Sequence, residues 1–207
     1  HIHLPDGVLP VWLWLSGYGI TALLIALLWR AGQPALEPRK LALLGVVSAA
    51  MVLVAMIEIP PFGYHFNLSV AAGILLGPRL AVPAALVVNL ILSLIGHGGV
   101  TVVGLNTIVL SVEMLAGYYI FRLLGGASRV AAAGFGSALA GMALGTATGF
   151  GIIAAGSRWI DRAIGIGRVH GERFTGAGLD LERLALIMFG LGAIGWIAEE
   201  LLTAAAL

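Results

Sequence analysis

Long apolar runs dominate the chain, and short polar segments separate them. Five runs approach the roughly 20 residues that an α-helix needs to cross a bilayer, and a sixth closes the chain. The predicted spans are 9–29, 41–57, 80–95, 102–121, 130–155 and 184–207. A seventh run, 66–77, is short and favours either a thin or tilted span or a re-entrant half-helix buried in protein. The pattern predicts an all-α integral membrane protein with seven transmembrane helices, formed by one domain over residues 1–207.

Positive charges are distributed unevenly between the loops, which predicts the orientation. If the N-terminus lies outside, the cytoplasmic loops hold Arg30, Arg39, Lys40, Arg79, Arg122 and Arg129, and the outer loops 58–65 and 96–101 hold no Lys or Arg. The C-terminus is then cytoplasmic. The loop 156–183 is an exception, because it carries five arginines beside four acidic residues on the outer side. Arg30 follows the first apolar run instead of preceding it, which predicts an uncleaved first helix.

Composition supports a membrane location and excludes several functions. Hydrophobic residues make up 60% of the 207 residues and charged residues 10%, whereas soluble domains average about 25% charged residues. The net charge of +1 is uninformative about partners, but the lack of a basic tract argues against nucleic acid as a partner. Without cysteine, thiolate metal sites and cysteine nucleophiles are excluded. The sequence also lacks a nucleotide-binding GxxxxGK[ST] motif, so uphill transport would need energy from another subunit or an ion gradient.

Polar side chains that are costly inside a membrane gather at the predicted outer ends of the spans. These residues are His1, His3, Asp6, Glu58, His65, Asn67, His97 and Asn106. They include four of the five histidines, so one outer site is expected. Asn89 and Glu113 lie mid-span instead. Glu199 and Glu200 are expected near the inner end of the last helix, where they snorkel to the interface or contact a cytoplasmic subunit.

The opening HIHLPDG segment offers metal-binding chemistry. A free amine, the next backbone amides and a histidine ring can form a planar chelate, and planar nitrogen donors favour Cu(II) or Ni(II). A second histidine, His65 above all, would complete the plane or bind on the axis. The alternative is a disordered polar leader, although the Pro5-Asp6-Gly7 turn signal argues against it.

Three further residues of the outer loops are weighed as support for such a site. We expect Asn67 and Asn106 to hold ligands in place by hydrogen bonds rather than to bind metal. His97 lies between glycines in GHGG and is expected in a solvated loop, or at most behind the ligands together with Asp6.

Three stretches carry a family resemblance. HIHLPDGVLP, GYHFNLSVAAGILLGP and GHGGVTVVGLN resemble the nickel/cobalt substrate-capture components of energy-coupling-factor transporters, the NikM/CbiM family. The resemblance covers about the first 110 residues by motif and the whole chain by hydropathy. It implies a six-helix core with one extra N-terminal helix, and a metal held by nitrogens of the folded-back N-terminal segment.

The resemblance also implies a ligand set. In the family the terminal amine, the following histidine's backbone nitrogen and ring, and one loop histidine bind the metal, and the loop histidine corresponds to His65. If the chain is aligned with the family at the N-terminal residue, the N-terminal histidine ligand is His1. If it is aligned at the Pro5-Asp6-Gly7 turn, the ligand is His3. If His1 is the first residue, its amine, the amides of Ile2 and His3 and the ring of His3 form the chelate. Family members often have an acidic residue at the position of His97.

The implied function is high-affinity capture of Ni²⁺, with Co²⁺ also possible, on the outer face of a prokaryotic inner membrane. Such a protein is not an enzyme. Its implied partners are a transmembrane coupling subunit, cytoplasmic ATP-binding-cassette ATPases and a small accessory membrane subunit, within membrane lipid. Alternatives are a vitamin-capture component of the same transporter class, an intramembrane metalloenzyme and a structural assembly subunit.

Small residues mark three helix faces where another helix can approach closely. Gly141, Gly145 and Gly149 recur every four residues in the run 130–155, and the pairs Ala22/Ala26 and Gly45/Ala49 lie in the first two runs. Each face predicts packing within the chain or, alternatively, docking of a partner subunit. The two pairs are the candidates for docking the coupling subunit.

Overall fold

The computed structural model describes residues 4, 6–7, 9–30, 37–59, 64–66, 68–126, 128–165 and 181–206. Helices account for most of this part of the chain. They are α1 (Val11–Arg30), α2 (Pro38–Ala55), α3 (Ser69–Leu76), α4 (Pro78–Leu94), α5 (Val103–Leu123), α6 (Val130–Gly165), α7 (Leu181–Ala185) and α8 (Gly192–Ala206), with a π-helical segment (Leu186–Leu191) joining the last two. A small antiparallel hairpin, β1 (Glu58–Ile59) and β2 (Tyr64–His65), precedes α3.

The predicted all-helical membrane fold is confirmed. Each predicted span corresponds to a helix, if α7, the π-helical segment and α8 are counted as one because they follow without a gap. In the described part of the chain, α1, α2, α5 and residues 130–157 of α6 are long and apolar enough to cross a membrane. The largest departure from the predicted spans is α6, which continues to Gly165 instead of ending at residue 155. Charged residues end the apolar run there, but an α-helix can continue beyond the bilayer through such residues.

Helix α5 forms the centre of the bundle. It packs against α1, α3, α4 and α6, and Met114 near its middle is fully buried. Glycines permit the closest crossings. Gly73 of α3 lies against the backbone of Met114, and Gly104 of α5 lies against Tyr18 of α1, so a Cβ atom at either glycine would overlap the neighbouring helix. Close backbone approach of this kind is how helices associate when lipid removes the hydrophobic driving force.

The short helix α3 is buried inside the protein. Its eight residues extend about 12 Å, less than half of the roughly 30 Å hydrocarbon core. Ser69, Val70 and Ala71 are all buried, and Val70 packs against Gly117 of α5 and Gly141 of α6. This enclosure satisfies the condition under which a helix shorter than the bilayer is tolerated at membrane depth.

The three small-residue faces differ in what covers them. On α6, Gly141 contacts Val70, Gly145 contacts Glu113, and Gly149 lies 3.7 Å from Met188 at its Cβ position, so this face packs within the chain. On α1 and α2 the small residues are exposed: Ala22, Ala26 and Ala49 face outward, and no atom lies within 4 Å of a Cβ placed at Gly45.

The expectation for the two acidic residues of the last helix was wrong. Glu199 and Glu200 of α8 do not snorkel, because both are completely buried. Glu199 accepts a hydrogen bond of 2.5 Å from the backbone N–H of Leu68, the residue just before α3. The last helix therefore contacts the segment that follows His65.

Candidate metal centre

The N-terminal segment is fastened to the loop between α4 and α5 by Asp6. The carboxylate of Asp6 accepts hydrogen bonds from the backbone N–H of Val100 (2.9 Å) and from the backbone N–H and hydroxyl of Thr101 (2.8 and 2.5 Å). These bonds, that from the Thr101 hydroxyl foremost, hold the pKa of Asp6 below its usual value of 3.8. The carboxylate is therefore ionised at neutral pH, and it acts here as an anchor.

Asn106 holds the same segment two residues earlier. Its side-chain oxygen accepts a hydrogen bond from the N–H of Leu4 at 3.0 Å, and its side-chain amide donates to the carbonyl of Leu4 at 3.3 Å. The N–H of Gly99 donates to the same carbonyl at 3.2 Å. Asn106 is 3% exposed, so its role as a hydrogen-bonding support of the N-terminal segment agrees with the geometry.

The loop 96–101 also fixes the position of His97. At the end of α4, the N–H of Gly96 donates to the carbonyl of Ser93 (3.2 Å) and the N–H of His97 donates to the carbonyl of Leu92 (2.8 Å). This pair of bonds is the Schellman motif, in which the first residue past the cap is left-handed. Gly96 fills that position with φ of 83°. The backbone of His97 is therefore fixed by the helix end.

The β1–β2 hairpin fixes the position of His65. Its register pairs Glu58 with His65, so β2 runs back along β1 and into α3. His65 is 4% exposed, and its ring contacts the ring of His97 edge to face, with centroids 4.7 Å apart and an interplanar angle of 81°. The expectation that His97 lies in a solvated loop was incomplete, because the residue is only partly exposed and packs against His65.

One loop therefore connects the two halves of the candidate site. His97, which contacts His65, is separated by a single residue from Gly99, which holds Leu4. Two residues of chain span at most about 7 Å, so the anchored segment and the histidine pair are neighbours. The predicted ligands His1, Ile2 and His3 and the supporting residue Asn67 lie outside the described residues. Within the described part of the chain, no group of three or more His, Cys, Asp or Glu side chains could hold a metal ion.

Two contacts of this region were missing from the sequence analysis. The hydroxyl of Tyr18 on α1 donates to the carbonyl of Val100 at 2.6 Å, which secures the loop from the side of the first helix. Glu199 of α8 supports Leu68, whose backbone is left-handed (φ 52°, ψ 24°). Neither contact has a sequence signal, because the partners are 82 and 131 residues apart.

The fold defines the class as a multi-pass helical membrane protein. Two crystal structures share it over 99% of this chain. One, described as a transition metal transporter, superposes with a TM-score of 0.74 at 20% identity and is covered over 90% of its length. The other, described as a truncated transition metal transporter, superposes with a TM-score of 0.72 at 20% identity and is covered over 95%. At this identity the likeness concerns the fold.

The chain belongs to the CbiM family, whose description is cobalt uptake substrate-specific transmembrane region and whose sequence profile matches residues 3–207. That description is of a membrane-spanning, substrate-specific region in metal uptake, which is a transport role. A protein of Haloquadratum walsbyi (strain DSM 16790 / HBSQ001), named "Putative metal transport protein", is 38% identical over 128 residues. The match covers 59% of this chain and 58% of that relative.

Proposed function

We propose that this protein binds Ni²⁺ or Co²⁺ with high affinity on the outer face of the membrane, as the substrate-specific subunit of an ATP-driven energy-coupling-factor transporter. One observation carries the proposal. Gly99 donates a hydrogen bond to Leu4, and Gly99 is only two residues along the chain from His97, whose ring contacts His65. Leu4, which directly follows the predicted N-terminal nitrogen donors in the sequence, is thus held near a buried histidine. The three residues before Leu4 can reach no further than about 10 Å from it.

The available donors determine the class of substrate. Imidazole, amine and amide nitrogens suit late transition metals, whereas Mg²⁺ and Ca²⁺ require oxygen ligands. The nearby carboxylate of Asp6 is engaged by Val100 and Thr101. A planar chelate from the N-terminal segment, with His65 beside it, gives the preference for Ni²⁺, and Co²⁺ accepts the same donors.

The proposed partners follow from the surface and from the sequence. The chain has no nucleotide-binding motif, so ATP would be hydrolysed by cytoplasmic ATPase subunits. The exposed small residues Ala22 and Ala26 on α1 and Gly45 on α2 leave room for a helix of a transmembrane coupling subunit. A small accessory membrane subunit completes the proposed assembly.

The proposal is tested by equilibrium binding of Ni²⁺ and Co²⁺ to the purified full chain with a native N-terminus. Removing the His65 imidazole (His65→Ala) should weaken binding by at least about 100-fold, because a ligand is lost. Acetylating the terminal amine should have a similar effect, because the acetylated nitrogen no longer binds metal. The matched control is Asn89→Leu, which alters a buried polar residue whose side-chain N–H bonds to Ala85 within its own helix.

Unchanged metal affinity in both His65→Ala and the acetylated protein would refute the site. Binding of a vitamin, with no effect of metal, would support the rival capture component. Hydrolytic turnover by the metal-loaded protein would support the metalloenzyme alternative.

A further inference from the structure

Neither side-chain packing nor helix capping explains why residue 97 is a histidine. It is the second residue past the C-terminal cap of α4 in the Schellman motif, where an apolar side chain usually packs back on the last helical turn. Here the residue is an imidazole, and its ring contacts His65 rather than the aliphatic helix end alone. The helix cap and the close approach of Gly99 to Asp6 leave the backbone little freedom, so the ring is held in a defined place.

The spacing of the two rings matches that of two ligands on one metal ion. With metal–nitrogen bonds of about 2.0–2.1 Å, two imidazoles bound at right angles place their ring centres roughly 4.5 Å apart. The observed separation of His65 and His97 is 4.7 Å, with the ring planes at 81°. The centroid separation is therefore close to that of two imidazoles bound to one ion.

We propose that His97 is a metal ligand, bound at right angles to His65 on the same ion, as a fifth nitrogen donor beside His65 and three donors of the N-terminal segment. This inference rests on the proposed function and deepens it. If the terminal amine, a backbone nitrogen and a histidine ring of the N-terminal segment supply three planar donors, one of the two rings completes the plane and the other binds on its axis. A fifth donor makes the site square-pyramidal. The fifth donor therefore reduces the preference for Ni²⁺ that a planar site gives, and Co²⁺ should bind with a similar affinity.

The test is nickel K-edge X-ray absorption, with affinity measured on the same samples of the full chain. The key variant is His97→Phe, because phenylalanine keeps a ring against His65 but has no nitrogen to donate. The wild-type protein should show five-coordinate nickel with the scattering of two or more imidazoles. His97→Phe should show four-coordinate planar nickel, one imidazole fewer and a Kd raised about 10- to 100-fold.

A second variant guards against misfolding of the first. His97→Asp supplies an oxygen donor at the same place, so it should restore five-coordination while still lacking one imidazole. If His97→Phe or His97→Asp binds nickel with the spectrum and affinity of the wild type, His97 only packs against His65 and the inference is refuted. A wild-type protein that binds no nickel would instead refute the proposed function itself.

Discussion

The backbone of Leu4 and the side chain of Asn106 are joined by two hydrogen bonds across 102 residues of sequence. A side-chain amide that both accepts from and donates to one backbone residue imitates a strand partner. It therefore fixes the direction of the N-terminal segment as well as its position.

Replacing Asn106 with leucine should weaken metal binding without unfolding the bundle. The N–H and carbonyl of Leu4 would lose their side-chain partner in a buried place, which costs about 1–3 kcal/mol. If that cost falls on the anchored state, metal affinity drops about 5- to 150-fold. Isothermal titration with Ni²⁺ measures it.

The control for Asn106→Leu is again Asn89→Leu, on the neighbouring helix α4. The side-chain oxygen of Asn89 is buried without a hydrogen-bond partner in the described part of the chain, so its removal should leave metal affinity unchanged. Equal losses in the two variants would mean that Asn106 acts through general stability and not through the N-terminal segment.

Metal release on acidification should follow histidine and not Asp6. The pKa of Asp6 is lowered in the folded protein, so its stabilising contribution is fully present above its unfolded value and is lost only as pH falls through the lower folded value. Between pH 5 and 8 the anchor stays ionised, whereas protons compete with the metal for the nitrogen ligands. Nickel binding across this range should therefore have the same midpoint in the wild type and in Asp6→Asn.

The Asp6→Asn variant should bind nickel more weakly at every pH, because a neutral amide is a poorer acceptor for Val100 and Thr101. The matched control is Glu37→Gln, an exposed acidic residue before α2 that pairs with Lys40. A midpoint that shifts in Asp6→Asn would show that the Asp6 carboxyl titrates in this range after all.

Glu199 should control the order of the segment that carries His65. Leu68 has a left-handed backbone, which costs a residue other than glycine about 1–2 kcal/mol, and Glu199 accepts its N–H. Glu199→Ala should therefore increase hydrogen exchange in peptides that cover 64–72 by about tenfold. Glu199→Gln keeps an acceptor and should exchange nearly as slowly as the wild type.

Glycine at position 68 provides the rescue for Glu199→Ala. Adding Leu68→Gly removes the backbone strain and should return part of the lost protection. If exchange in the segment is insensitive to Glu199→Ala, the hairpin and α3 are held by their own packing and the last helix does not contribute.

The crossing of α3 and α5 should not tolerate a methyl group at Gly73. A Cβ atom there would overlap the backbone of Met114, which is fixed in the central helix. Gly73→Ala should lower the free energy of unfolding by about 1–3 kcal/mol, the usual cost of overpacking. Thermal unfolding in detergent measures the difference.

Gly45→Ala is the matched control for Gly73→Ala. A Cβ atom at Gly45 meets no neighbour within 4 Å, so the gain in helix propensity should leave stability equal or slightly higher. Destabilisation by both substitutions to the same extent would show that helix-helix distance is not the reason for glycine at position 73.

The helices and their order followed from the sequence because their causes are local. An apolar run of about 20 residues forms a helix in lipid, where every backbone group must be satisfied within the segment. Pro38 and Pro78 begin α2 and α4 where the proline N–H is not needed. The sequence also singled out His65 and Asn106 as polar residues at the outer ends of predicted spans. The metal-binding role of His1, His3 and His65 remains a prediction.

Only the tertiary structure brought His97 to His65, Leu4 to Asn106 and Glu199 to Leu68. These partners are 32, 102 and 131 residues apart, and no periodicity or motif along the chain relates them. Their meeting depends on how closely the helices cross, which glycines such as Gly73 and Gly104 set through backbone contact. The sequence by itself determined which segments enter the membrane and which residues carry metal-binding chemistry, because hydrophobicity and donor type belong to each residue. The packing of the helices decided which of those residues face one another, because a contact exists only when two distant segments occupy the same place.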